Sequence, residues 1–179
     1  EAVIAGATFA VTILAAPALY WGVLAGVLGS LSYFLYQRLH PRIIEVGLHA
    51  DGSLRDRHLW HLPPLAPATY ALRMDATLDF AAAAQFERNV AEHLAEHPGT
   101  RHVCLFAQPI NGMDATGAEA FMRLMLQLDQ HGVALHVAGM KLPVERVLRA
   151  AGALAVPAMP RLYRTDAEAI EALRELALP

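Results

Sequence analysis

The chain has 179 residues, with 14 Lys and Arg against 17 Asp and Glu, and 55% of it is hydrophobic. That length holds one ordinary domain and an appendage. The slight acidic surplus excludes a nucleic-acid surface built on excess basic charge. The single cysteine, Cys104, excludes an intramolecular disulfide and a Cys-rich metal cluster, as expected in a reducing compartment. The averages conceal an asymmetry: no Asp, Glu, Lys or Arg lies between Ala2 and Gln37.

A water-soluble amphipathic helix needs a charged face, and residues 2–37 have none, so this stretch is expected in a bilayer. As one straight helix it would be about 50 Å long, against a hydrocarbon core of about 30 Å. Proline removes a backbone donor and clashes with the preceding turn, so Pro17 divides the stretch into two short helices, 2–14 and 19–37, with the break at 15–18. The first is too short to span alone and calls for protein neighbours. Together with a start at Glu1 inside apolar sequence, this reads as part of a longer protein with an upstream membrane domain. A secretory signal is a poor fit, because no basic region precedes a run of this length. Gly22 and Gly26 form a Gly-x-x-x-Gly pair continued by Gly29 and Ser30, a spacing that lets helices pack closely in lipid, although glycine is also simply common in membrane helices. Tyr20 and Trp21 at one end, and Tyr33 and Tyr36 at the other, suit the two interfaces. Arg38, His40 and Arg42 follow and mark the cytoplasmic side.

Beyond Arg38 the pattern alternates. Residues 43–49 read as a strand, Asp51-Gly52 as a turn, and 69–74 as a strand, whereas 54–62 is ambiguous before Pro63, Pro64 and Pro67. Asp79 is placed to cap a helix with Phe86, Val90 and Leu94 on one face. A buried strand at 102–107 leads through a loop at 108–112 into a helix with Phe121, Leu124, Met125 and Leu128 inward. Next come a strand at 133–138 and a helix opened by Pro143, with Val144, Val147, Leu148 and Ala151 inward. A short strand at 161–163 and a capping box at Thr165 and Glu168 close the chain, with Ile170 and Leu173 inward on the last helix. Strands alternating with helices predict a mixed, mostly parallel sheet covered by helices. The expected organisation is membrane helices over 1–37, a juxtamembrane linker and first strands over 38–68, and the domain core over 69–177.

The informative site is Asn111-Gly112-Met113-Asp114-Ala115-Thr116-Gly117, between an apolar strand and a helix. The Asp-Ala-Thr-Gly order there resembles the loop of STAS domains, shared by sulfate transporters and anti-sigma-factor antagonists. The segments Asp51-Gly52-Ser53-Leu54-Arg55-Asp56 and Leu72-Arg73-Met74-Asp75-Ala76-Thr77-Leu78-Asp79-Phe80 resemble the opening strands of the transporter type. The segments Glu1-Ala2-Val3 and Tyr20-Trp21-Gly22-Val23-Leu24-Ala25-Gly26-Val27 resemble the last two membrane helices of the SulP (sulfate permease) family. The resemblance implies an α/β STAS domain after a membrane α-helical segment. It also implies the C-terminal part of a secondary anion transporter for sulfate, bicarbonate or dicarboxylates, with a fold of two inverted seven-helix repeats. Its anion site would lie upstream of this chain. The implied setting is the plasma (inner) membrane, multi-pass, with the C-terminal domain cytoplasmic. Membrane lipid, the upstream transport domain and a second copy in a homodimer are the implied partners, and no cofactor is.

Thr116 aligns with the residue phosphorylated in soluble antagonists of this fold, and a phosphate there would add nearly two charges at a helix start. Thr116 and Glu119 also have capping-box spacing, so the favoured reading of the hydroxyl is a helix cap, and of Asp114 a helix-start or turn residue. Ala115 departs from the antagonist pattern, where serine is frequent. A membrane-tethered partner-switching module is therefore the alternative function.

His93 and His97 have i, i+4 metal-ligand spacing, flanked by Glu92 and Glu96, but the favoured reading is a solvated polar face opposite Phe86, Val90 and Leu94. His58 and His61 suit pH sensing or surface packing. Cys104 reads as an inert core residue. The loop at 108–112 has N–H groups that could hold an anion or a nucleotide phosphate, but no Walker-type glycine loop is present. No nucleophile–base or carboxylate pair stands out, so no enzyme is expected.

Overall fold

The computed structural model describes residues 2–14, 20–155 and 158–176. The chain divides into two compact units, Glu1–His40 and Pro41–Pro179.

The first unit is a pair of helices, α1 (Ala2–Leu14) and α2 (Tyr20–Leu39). The expected break at 15–18 lies outside the described residues. The helices run antiparallel, with α2 presenting its small residues to α1. A Cβ at Gly22 would overlap Thr12, one at Gly26 would come within 3.0 Å of Thr8 Oγ1, and one at Gly29 within 3.3 Å of Ile4. Thr8 and Thr12 satisfy their hydroxyls within α1, donating to Ile4 O at 2.8 Å and Thr8 O at 2.7 Å. Close approach thus leaves no polar atom stranded between the helices. Outside this seam the apolar side chains are uncovered: Val3, Phe9, Leu14, Val23, Val27 and Leu31 are all more than half exposed. Among the described residues no helix is long and apolar enough to cross a membrane. The physical reasons differ: α1 has 13 residues, whereas the 20 residues of α2 are diluted by three tyrosines, two serines, Gln37 and Arg38.

The second unit is a six-stranded sheet in the order β2-β1-β3-β4-β5-β6. Its strands are β1 (Ile43–Leu48), β2 (Leu54–Asp56), β3 (Thr69–Met74), β4 (His102–Phe106), β5 (Ala134–Ala138) and β6 (Arg161–Tyr163). β1 pairs antiparallel with β2 and β3, and every pair from β3 to β6 is parallel. The predicted mixed sheet is therefore present. The ambiguous stretch at 54–62 resolves into β2 and a turn, because Leu62, Pro63 and the extended loop fold back over Gly47, where a Cβ would lie 2.7 Å from Leu62 Cβ.

Parallel neighbours need crossovers, supplied by α3 (Ala83–Glu96), α4 (Ala115–Gln130) and α5 (Leu142–Ala150). β3 to β6 are laid down in one direction across the sheet, so right-handed crossovers put these three helices on one face. Phe86, Val90, Phe121, Leu124, Met125 and Leu148 there meet Tyr70, Leu72, Leu105 and Val137 from the strands. The opposite face carries Ala71, Cys104, Phe106 and Ala138, and falls to α6 (Asp166–Glu175) through Ala169 and Leu173, with Leu65 and Ala66. Thr165 caps α6, accepting from Glu168 N at 3.2 Å. Two expectations need correction. Ala151 is the exposed C-terminal cap of α5 and not an inward residue. Asp79 does not cap α3, whose flanking residue is Ala82; its Oδ1 instead accepts from Ala81 N and Ala82 N at 3.1 Å in the turn before it.

The α6 face also encloses a polar group. His136 is fully buried on β5, with Nδ1 2.9 Å from Tyr163 Oη and Nε2 3.2 Å from His102 Nδ1. Burial, reinforced by His102 and Arg161, pushes its pKa down from 6.5 to about 4; burial lowers that of His102 as well. The unfolded chain thus binds more protons than the folded one between those values, and stability is lost as pH falls from 6.5 towards 4. Urea midpoints followed by circular dichroism should show this acid loss, on the order of 2–3 kcal/mol for His136. His136→Gln should flatten the slope in that window.

Candidate functional site: the Asp114 loop

The crossovers bring two loops together at the C-terminal ends of β3 and β4, one entering α3 and the other entering α4. Leu78 and Met113 form an isolated parallel bridge. Leu78 N donates to Gly112 O at 3.1 Å, and Asp114 N to Leu78 O at 3.3 Å. Asp114 then divides its carboxylate between both loops. Oδ1 accepts from Gly117 N at 2.8 Å, capping α4, while Oδ2 accepts from Phe80 N at 3.0 Å. One side chain so satisfies an orphan donor of the helix start and a donor of a segment 34 residues earlier.

Gly117 has a steric role in the same junction. A Cβ there would overlap the carbonyl oxygen of Leu78 and lie 2.8 Å from its carbon, and both belong to backbone that cannot swing aside. Leu78 and Gly117 are buried. The Asp-x-x-Gly spacing is therefore a clamp: aspartate bonds both loops, and glycine lets them meet.

The capping role expected for Thr116 belongs to Asp114 instead. The reason is backbone conformation. Asp114 is extended, with φ −100° and ψ −178°, as a cap must be, whereas Thr116 already lies within the helix. Thr116 and Ala115 are exposed, and among the described residues the Thr116 hydroxyl makes no hydrogen bond. A phosphate at this position would meet the positive end of a 16-residue helix beside the Asp114 carboxylate. Asn111 is exposed and accepts from Lys141 Nζ at 2.5 Å, and Gly112 is half-buried against Thr77. Phe80 is 68% exposed and Leu142 58%, so large apolar side chains flank the loop in solvent. The parts played by Phe80, Leu78 and Lys141 have no sequence signal near Asp114, since each comes from a distant segment.

The other candidates lie apart from this loop. His93 is not simply solvated: it stacks on Tyr70 at 3.6 Å between ring centroids and on His97 at 4.4 Å, and burial lowers its pKa. Among the described residues no group of three or more His, Cys, Asp or Glu side chains is arranged to hold a metal ion. His58 pairs with Glu45 at 2.9 Å, and Glu45 also meets Arg57 at 2.5 Å. Cys104 is buried, and burial pushes its thiol up to about 12, which makes it a poor nucleophile. Asp166 Oδ1 is buried without a hydrogen-bond partner near Gly139, and burial raises the pKa of that carboxyl.

A family model for the STAS domain matches residues 65–169, which span β3 through the first turn of α6 and contain the whole clamp. The chain belongs to the STAS domain family. No curated protein matches it in sequence. Its STAS fold is shared with solved structures of low sequence identity. The murine Solute Carrier 26 family member A9 anion transporter superposes with a TM-score of 0.76 at 16% identity, covering 93% of this chain and 28% of that one. A sulfate transporter family protein from Wolinella succinogenes gives 0.55 at 16%, covering 69% and 98%. A protein described as an anti-sigma factor antagonist from Thermotoga maritima gives 0.53 at 18%, covering 65% and 97%. The chain spans 28% to 30% of the length of the transporters it matches first.

The clamp can be tested by denaturation. Gly117→Ala should cost about 1–3 kcal/mol through forced overlap, and Asp114→Ala about 1–2 kcal/mol through the lost cap and the unpaired Phe80 N–H. Thr116→Ala should stay within about 0.5 kcal/mol of the parent, as for an exposed residue that caps nothing. Urea midpoints of the three variants provide the comparison.

Proposed function

We propose that the chain is the C-terminal part of a secondary anion transporter, with its helix pair belonging to the transport domain and its STAS domain serving assembly or regulation. One observation carries this reading: a helix pair uncharged from Ala2 to Gln37, with uncovered apolar faces, precedes the STAS domain, and the fold of a Solute Carrier 26 anion transporter matches across 93% of the chain. The exposed faces of α1 and α2 need lipid or further helices to cover them. In this reading they belong to a bundle in the plasma (inner) membrane, and Arg38 and Arg42 hold the STAS domain on the cytoplasmic side. The transported species is an inorganic anion or dicarboxylate bound by helices upstream. A homodimer is the proposed assembly, and the chain has no catalytic role of its own.

The sequence preceding Glu1 should encode about a dozen further apolar spans. The full-length protein in proteoliposomes should take up radiolabelled sulfate, bicarbonate or a dicarboxylate, and deletion of residues 65–169 should lower uptake or assembly several-fold. Absence of the spans or of uptake for all three anions would sink the proposal.

The exposed Thr116 hydroxyl, which makes no hydrogen bond among the described residues, supports a second reading, a membrane-tethered partner-switching module. In that case incubation with a cognate kinase places one phosphate on Thr116, read by mass spectrometry and lost in Thr116→Val.

A further inference from the structure

At the end of the sheet where β4 and β5 begin, the C-terminal turns of α3 and α4 border an open cavity of about 680 Å³. Its floor is apolar and rigid: Leu124, Leu128 and Val133 are 3%, 1% and 7% exposed and belong to the core. Its α3 wall is lowered by Ala91 and Ala95, whose small side chains leave the space open. The volume falls in the ordinary range for small-molecule sites, and the apolar floor is rimmed by polar side chains, among them Thr100, Gln127 and Gln130.

Among the described residues Arg101 is the one formally charged side chain lining this cavity. Arg101, just before β4, is exposed, and among the described residues its guanidinium has no ion pair or hydrogen bond. No carboxylate lines the cavity among those residues. At each helix C-terminus that faces it one carbonyl is engaged: His97 Nδ1 lies 3.2 Å from His93 O and His131 Nδ1 2.7 Å from Gln127 O. An unpaired guanidinium beside an apolar cavity suits a carboxylate on an alkyl chain, since the planar fork binds both carboxylate oxygens and the floor takes the chain.

We propose that this cavity is a binding site for a free medium-chain aliphatic carboxylate, with Arg101 holding the head group and Leu94, Leu124, Leu128 and Val133 the chain. The site lies on the opposite side of the strands' direction from Asp114, so it is separate from the clamp and independent of the transport reading.

The test uses the intact chain in phosphatidylcholine nanodiscs, with empty discs as the blank, titrated with sodium octanoate and with neutral octanamide. Methyl resonances of Leu94, Leu124, Leu128 and Val133 provide the readout. Octanoate should shift them saturably and bind about tenfold tighter than octanamide, as expected for one charge-assisted pair. Arg101→Gln should reduce octanoate to the octanamide level and leave octanamide unchanged. Ala95→Phe, which fills the exposed wall, should abolish both. Equal binding of the two ligands, octanoate binding that survives Arg101→Gln, either ligand surviving Ala95→Phe, or the absence of saturable shifts at these methyls would each overturn the proposal.

Discussion

At Gly117 the first turn of α4 lies so close to the carbonyl of Leu78 that no side chain can stand between them. The Asp114 carboxylate secures this contact from both sides, with one oxygen on Gly117 N and the other on Phe80 N. Two backbone segments that would otherwise end in unpaired donors therefore form one junction. The starts of two crossovers are held at a common point, and the solvent-exposed groups around it, Thr116 and Phe80 among them, inherit their positions from that junction. Any signalling chemistry at Thr116 would act on a helix start whose cap is already occupied, leaving its hydroxyl free of a structural duty.

The layering of the domain follows from strand order. Placing β3, β4, β5 and β6 in one direction leaves a second sheet face that no crossover helix can cover. That face is closed by α6 and the segment around Leu65, and it is the face that holds His136, Cys104 and the unpartnered Asp166 oxygen. The crossover face is mostly apolar, by contrast, although the Tyr70 hydroxyl there donates to Asn89 Oδ1 at 2.6 Å. The fully buried histidine thus lies where a single short helix covers the sheet, and the expected acid loss is assigned to that face.

The helix pair obeys a different rule. Its close seam is the run of Gly22, Gly26 and Gly29 against Thr12, Thr8 and Ile4, and beyond that seam large apolar side chains such as Phe9, Val23 and Leu31 are exposed. Small residues let the two backbones approach closely along this seam. The STAS domain, with its buried core on both sheet faces, contains its own driving force.

The sequence by itself determined the local periodicities. The apolar runs at 102–107 and 133–138, the four-residue spacing of Phe86, Val90 and Leu94, and the capping pair Thr165 and Glu168 each announce an element, because the signal lies within a few neighbouring residues. The Asp-Ala-Thr-Gly landmark and the charge-free first segment were equally visible there. The identity of the cap was not. Thr116 with Glu119 satisfies the spacing rule as well as Asp114 does, and only the extended backbone at Asp114 and the Phe80 N–H, 34 residues away, select it. The stacking of His93 on Tyr70, the burial of His136 between His102 and Tyr163, and the open Arg101 cavity were likewise decided by the tertiary structure. Each depends on which strands become neighbours, and that is set by long-range pairing and crossover handedness, which leave no mark on adjacent residues.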